Sequence, residues 1–477
     1  MVNDNVDYIC EYSISYMHKI NSMFPFFSFL RYSLGSKGNM SRVIAGMNWQ
    51  ELYSFASKQA LLGLCFEGIE RLGKEYPDEL RLNPIGRELL MTWMGKAQQI
   101  RRQNMKVNAV ASKLFSMLRE DGMRCCVLKG QGNALMYPNP YSRTPGDIDV
   151  WIDASRERIM EYAQKKFELG DDIRLQHLET SLDGVPVELH FFPCSMNNPI
   201  YHARLQKWFR RNADLQCSNV VSLPDGIGEI AIPTTAFNVV YQLTHLYHHF
   251  FDEGIGMRQI IDYFLVVNDF SKNVFLDTDF SNHHVNFSNH PVPLSKEGST
   301  FSPSPSSSGS GDVTAPSRCS EPLRSKDGGA SEPSPDCAGW DRLSIEGDNS
   351  AGSATAVTSS ASTALVVVQR ELKYLGLWKF AGAVMFVLHE VLGLSEDKMI
   401  VPMDEKRGRL LLAEILDGGN FGKHFTKYGH FTQQGMAKKY ILKIWRNMHF
   451  VRYYPAEAFC EPLFRTWHFF WRMKNKK

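Results

Sequence analysis

The chain is 477 residues long, 43% hydrophobic and 22% charged, with a formal net charge of +2. That length and apolar content are enough for a sizeable core and two or three domains. The near-balanced charge singles out no polyanionic partner, and no segment reaches membrane-spanning length free of charges, so a cytoplasmic protein without a transmembrane segment is expected. The nine cysteines are scattered, with no Cys-x-x-Cys pair. Adjacent Cys125 and Cys126 suit neither a mutual bridge nor shared tetrahedral ligation, which predicts free thiols in a reducing compartment. Asp4 and Asp7 occupy the place of a basic leader, and the apolar run from Met23 to Leu30 is short and followed by Arg31.

In chain order, residues 1–121 read as an N-terminal helical region. Trp49 to Leu72 is apolar-periodic, and Val107, Val110, Leu114, Met117 and Leu118 recur at helical spacing before Gly122 stops the run. Residues 122–231 read as a compact α/β core. Cys125 to Leu128 suits a buried strand entering a turn at Lys129-Gly130, and Asp147 to Ile152 alternates polar and apolar with period two. Ser155 to Leu169 reads as a helix closed by Gly170. Two further strand-like pieces, Ile173 to Leu182 and Val185 to Phe192, are joined by Asp183-Gly184, a hairpin signal.

Helices resume at Pro233, and residues 232–270 form the first part of a helical domain, with Met257, Ile260, Ile261, Phe264 and Leu265 on one apolar face. Residues 271–364 are rich in Ser, Pro, Gly and Thr and cannot bury enough apolar surface to offset their ordering entropy, so a disordered low-complexity insert is expected there. The second part of the helical domain, 365–477, opens with the amphipathic stretch Leu365 to Leu394. From Lys438 onward it carries ten Lys or Arg against Glu457 and Glu461, interleaved with aromatics. That tail reads as an RNA-binding surface or, preferably, as a helical pair with an aromatic core under snorkelling cations, because Leu463, Phe464 and Trp467 to Trp471 cluster densely.

The chemistry centres on Asp147 and Asp149. Residues i and i+2 of a strand share a face, so the two carboxylates stand side by side while Ile148 and Val150 point into the core. Like charges held this close call for a cation, and oxygen donors suit Mg²⁺ or Mn²⁺. Glu188 and His190 repeat the pattern, opposite in face to Val187 and Leu189. If the two strands are neighbours, Glu188 is a third carboxylate, and the trio can hold the two ions of a phosphoryl-transfer site. Gly130 and Gly132 follow a strand directly, which allows close backbone approach to a phosphate. Lys129 and Arg143 are candidates for contact with the triphosphate or for neutralising the acidic cluster. His190 is expected to orient a carboxylate by hydrogen bond rather than to ligate an ion. His245 and His249, one turn apart, lack the glutamate and third ligand of a His-Glu-x-x-His zinc site and are expected to be buried or to face the site. Arg258 and Asp262, also one turn apart, are expected to pair with each other.

Leu128-Lys129-Gly130, Tyr137-Pro138, Arg143, Gly146-Asp147-Ile148-Asp149 and Val187-Glu188-Leu189-His190 resemble the uncharacterised nucleotidyltransferase family of the DNA polymerase β-like superfamily. His245-Leu246-Tyr247-His248-His249, Glu253 to Arg258 and Asp262 resemble that family's helical half. The resemblance implies an α+β fold, a small mixed sheet flanked by N-terminal and C-terminal helical regions, with NTP as substrate and divalent metal as cofactor. Asp147 and Asp149 match the metal-binding pair, Glu188 the third acidic position, and Gly130 the nucleotide-loop glycine. Gln131 follows where the wider superfamily usually has Ser or Gly, and the gap to Asp147 is longer. Gln131 and Gly132 stay with Lys129, Gly130 and Arg143 as nucleotide-binding candidates, and His190, His245, Arg258 and Asp262 as supporting residues. The expected activity is transfer of a nucleoside monophosphate from an NTP to an acceptor hydroxyl, with pyrophosphate released. A toxin-like enzyme acting on tRNA and a catalytically inactive nucleotide-binding protein are the rivals. The acceptor and the oligomeric state are not specified by these residues.

Overall fold

Four strands form a sheet in the order β1-β2-β4-β3, and helices cover both of its faces. A computed structural model describes residues 22–169, 174–276, 357–425 and 436–475. These fall in one compact unit built from Met1–His283 and Thr355–Lys477.

Helices α1 (22–33), α2 (Ser41–Ala45), α3 (Trp49–Lys58), α4 (Leu62–Glu75) and α5 (Pro77–Leu82) come first. Asn48 caps α3 by accepting from the Glu51 N–H. The periodicity read as continuous from Trp49 to Leu72 is broken between α3 and α4, where Ala60 has φ 59°. The side chain of Gln59 uses that break to reach two distant segments: Nε2 donates to the Ile415 carbonyl (3.0 Å), and Oε1 accepts from the Met257 N–H (2.8 Å). The long helix α6 (Arg87–Glu120) ends, as its sequence predicts, at Gly122 with φ 71°.

Strand β1 (Cys125–Leu128) runs antiparallel to β2 (Ile148–Ile152), with α7 (Gly130–Ala134) between them and α8 (Arg156–Lys166) after. Ser155 caps α8 through the Arg158 N–H. Strands β3 (His177–Leu182) and β4 (Val185–His190) form the predicted hairpin. Asp183 and Gly184 have φ 50° and 70°, the left-handed pair that a two-residue hairpin turn needs. β4 then lies parallel to β2. Period-two alternation divides the sheet. Cys125, Val127, Ile148, Val150, Val187 and Leu189 pack with Val110, Leu114 and Leu118 of α6 in one core. Cys126, Leu128 and Trp151 face a second, larger core made by the remaining helices.

That second core is built from α9 (Pro199–Ser218), α10 (Thr235–Asp252), α11 (Met257–Leu276), α12 (Val357–Tyr374), α13 (Trp378–Leu392), α14 (Glu405–Gly418), α15 (Met436–Met448) and α16 (Pro455–Asn475), with a small hairpin of β5 (Val220–Ser222) and β6 (Glu229–Ala231) set between α9 and α10. The stretch read as one helix from Leu365 to Leu394 turns at Gly376 (φ 72°) into α12 and α13. The fold is the expected α+β arrangement, a small mixed sheet flanked by helices. Most of the segment expected as a disordered insert, 277–356, lies outside the described residues, and its ends, 271–276 and 357–364, are helical.

The C-terminal tail matches the expected aromatic core only in part, with Phe450 and Tyr454 buried against Phe250 and Phe380. Leu463 (72% exposed), Trp467, Phe469 and Phe470 lie on the surface, while Glu457 and Glu461 are buried. Helix α16 turns the acids inward because Glu457 accepts from the backbone N–H groups of Asn197 and Asn198 and Glu461 pairs with Arg465. Among the described residues no helix is long and apolar enough to cross a membrane, and Cys65, Cys125, Cys126, Cys194, Cys217 and Cys460 are free thiols.

Candidate active site

The edge of the sheet at the start of β2 and the end of β1 opens into a cleft of about 450 Å³, closed on its far side by α10 and α11. Lys129 sits where β1 breaks into α7, with φ 52° and ψ −125°. A non-glycine residue in that region stores roughly 1–3 kcal/mol of strain. The conformation turns the ammonium back over the sheet, where Nζ donates to Asp149 Oδ1 (2.9 Å) and lies 2.9 Å from His245 Nε2 on α10.

Asp149 and Glu188 are register partners on the parallel strands β2 and β4, and Asp147 immediately precedes β2. All three carboxylates line the cleft, with Asp149 6% exposed and Asp147 at the solvent side. His190, buried on the same face of β4, bridges two of them: Nε2 is 3.0 Å from Asp149 Oδ1 and 3.2 Å from Glu188 Oε2. The electrostatics separate the aspartates. Burial works against the Asp149 charge, but Lys129 and His190 outweigh it and hold the carboxyl well below the usual range. The Asp149 charge, then burial and Glu188, push Asp147 up to about 6. Burial likewise opposes the Glu188 charge, and the bond from His190 reverses it, leaving that carboxyl lowered. His190 is desolvated, yet its bonds to the two acids raise it to about 9.

Arg143 is 5% exposed and makes a two-pronged pair with Asp262 of α11, Nε to Oδ1 at 2.9 Å and Nη2 to Oδ2 at 2.8 Å. The Tyr137 hydroxyl also donates to Asp262 Oδ1 (2.7 Å). The expected pairing of Arg258 with Asp262 is therefore not the one formed. Asp262 is turned to Arg143, and Arg258 instead donates from Nη1 to the Thr144 carbonyl (3.0 Å) and lies over the Phe421 ring, 5.5 Å from its centroid. Arg258 Nε is buried without a hydrogen-bond partner among the described residues, and burial lowers the pKa of this guanidinium.

Gln131 and Gly132 do not line the cleft. The Gln131 amide is buried 3% exposed and bonds to Asn108 of α6. A Cβ on Gly132 would stand 2.9 Å from the Ile232 side chain, so this glycine serves close packing of α7 on the segment after β6. Local spacing placed both beside Gly130, but the first turn of α7 rotates them away from it.

His245 and His249 face the cleft from α10, with Nε2 atoms 2.9 Å apart, and burial keeps both neutral, His249 down at about 3. Several lining residues were not singled out from the sequence, Phe421 and His177 among them. Phe421 reaches the cleft from a turn after α14 with φ 55°. His177 stands opposite His190 in the β3–β4 ladder, ring centroids 5.0 Å apart. The two-residue turn at Asp183-Gly184 pairs Leu182 with Val185, so counting back along the hairpin from the sequence would have placed His177 there.

A family model described as an uncharacterised nucleotidyltransferase matches residues 45–281. No curated protein matches the chain. Among solved structures, the crystal structure of an antigenic nucleotidyltransferase-like protein from Paracoccidioides brasiliensis is similar at 16% identity, over 34% of this chain and 75% of that chain, with a TM-score of 0.24.

Proposed function

We propose that the chain, which a family model described as an uncharacterised nucleotidyltransferase matches over residues 45–281, transfers a nucleoside monophosphate from an NTP to an acceptor hydroxyl and releases pyrophosphate. The observation that carries this reading is the register of Asp149 with Glu188 on adjacent parallel strands, with Asp147 at the mouth of the same cleft. Three carboxylates converge against two nearby cations, Lys129 and His190, and Asp147 is left with a raised pKa of about 6 by the Asp149 charge. An all-oxygen donor set with unbalanced negative charge fits a hard divalent ion. Mg²⁺ or Mn²⁺ held by Asp147, Asp149 and Glu188, in a pair of ions, would draw charge from the triphosphate and acidify the acceptor hydroxyl.

The chain's own residues have separable roles. Lys129 fixes the Asp149 rotamer from one side and His190 from the other, so the carboxylate is set before substrate arrives. Glu188, lowered and therefore ionised, is the group to accept the acceptor's proton. Gly130, at the tight turn after β1, leaves room for the triphosphate, and Arg258 faces it from α11. Arg143 holds the wall through Asp262 rather than reaching the nucleotide.

The test is pyrophosphate release with Mg²⁺ or Mn²⁺ and each NTP, comparing the wild type with Asp147→Ala/Asp149→Ala. Equal rates in the two proteins overturn the reading. RNA is the acceptor class with a specific observation behind it, since Trp445, Trp467 and Phe470 are exposed on α15 and α16 and aromatic faces stack bases. Labelled-NTP incorporation into total RNA would reveal it.

A further inference from the structure

We propose that His177, Glu188 and His190 form a binding site for a transition-metal ion of the Zn²⁺ or Co²⁺ type, distinct from the all-oxygen Asp147–Asp149 pair. Three strand positions create it. His177 and His190 are cross-strand partners in the β3–β4 ladder, and Glu188 lies two residues before His190 on the same face of β4. Glu188 Oε2 stands 3.2 Å from His177 Nδ1 and 3.2 Å from His190 Nε2, and the three donor atoms all lie within 4.8 Å of one another. Ligands bound at about 2.0–2.1 Å stand about 2.8–3.0 Å apart in an octahedral shell and about 3.3–3.4 Å apart in a tetrahedral one. The two Glu188 distances fall between these spacings.

The second observation is His177 itself. It is 8% exposed, and neither of its ring nitrogens has a hydrogen-bond partner among the described residues, although Nδ1 faces Glu188 across the cleft wall. A buried imidazole without a partner is destabilising, and a metal bond removes that cost. Gln176 supports the second imidazole, its Nε2 lying 3.3 Å from His190 Nδ1. The open cleft leaves room for water or substrate as further ligands. Binding at His190 Nε2 releases the proton through which that imidazole bridges Asp149 and Glu188, and two imidazoles with one carboxylate select borderline ions over Mg²⁺.

The site does not depend on nucleotidyl transfer, although it shares Glu188 with that reading. The experiment is a titration of the chelator-treated full chain with Co²⁺, followed by visible absorption, with Zn²⁺ as competitor. One equivalent is expected to give a saturable band that Zn²⁺ abolishes. His177→Ala and His177→Gln, each checked for fold by circular dichroism, are expected to weaken Co²⁺ binding by at least about tenfold. Asp147→Asn is expected to keep the band while losing pyrophosphate release. No band in the wild type, an unchanged affinity in both His177 variants, or loss of the band in Asp147→Asn would each overturn the proposal. If pyrophosphate release persists while cobalt ignores His177, the metal site falls and the transfer reading stands. The reverse result separates them the other way.

Discussion

Asp262→Asn strips the counter-charge from a guanidinium with almost no access to water. Arg143 is 5% exposed, and it gives Asp262 two bonds of 2.9 and 2.8 Å. Charge-assisted bonds of this kind contribute about 1.5–3 kcal/mol each, and breaking a buried ion pair from one side costs about 3–5 kcal/mol. The two figures agree on a loss of about 3–5 kcal/mol. Arg258, also buried nearby, adds to the uncompensated positive charge. Urea unfolding followed by circular dichroism reads the loss as a lower midpoint at unchanged slope. A change below about 1 kcal/mol, the range of an exposed pair, would refute the account of a dry ion pair. Arg143→Met with Asp262→Leu should recover much of the loss, since an apolar pair leaves no charge stranded. The pH dependence has a definite sign. Burial pushes the Asp262 carboxyl up, but Arg143 outweighs it and holds it below the usual range. Its stabilising contribution is therefore complete above the unfolded value of about 3.9 and is lost as pH falls through the folded one, so the penalty of Asp262→Asn shrinks in acid.

Gly63→Ala would put a Cβ 2.3 Å from the Ser142 carbonyl oxygen, beside Arg143, and is expected to cost about 1–3 kcal/mol by overpacking; thermal unfolding identical to wild type would contradict the close approach. Lys129→Met removes the ammonium that fixes Asp149 and is expected to lower pyrophosphate release by roughly 10²-fold, and an undiminished rate would show the contact to be dispensable. Glu457 is raised to about 7 by burial, against its backbone donors Asn197 and Asn198. A folded pKa above the unfolded value of about 4.3 means stability falls as pH rises from there to about 7, by up to about 4 kcal/mol. Glu457→Gln should flatten that slope in thermal unfolding between pH 5 and 7, and an unaltered slope would assign the titration elsewhere.

Much of the candidate site is written in local spacing. The i, i+2 pattern of Asp147 and Asp149, the same pattern at Glu188 and His190, and the hairpin turn at Asp183-Gly184 all follow from the two-residue period of a strand and from the few residues that tolerate positive φ. These features are legible because backbone geometry dictates them within a few residues. The parallel pairing of β2 with β4 was an open condition, since strands about 40 residues apart meet only when helices pack behind them. Partner choice depended wholly on packing. Arg143 finds Asp262, 119 residues away, instead of leaving it to Arg258 one turn along the same helix. Lys129 reaches His245 across 116 residues. Helical phase turned Gln131 into the core, and the buried acids of α16 turned Leu463, Trp467 and Phe470 outward. Sequence alone determined which carboxylates share a face, because that is a matter of strand period. Only the tertiary structure decided which cation each one meets, because desolvating a charge forces it to the partner that packing brings within about 3 Å.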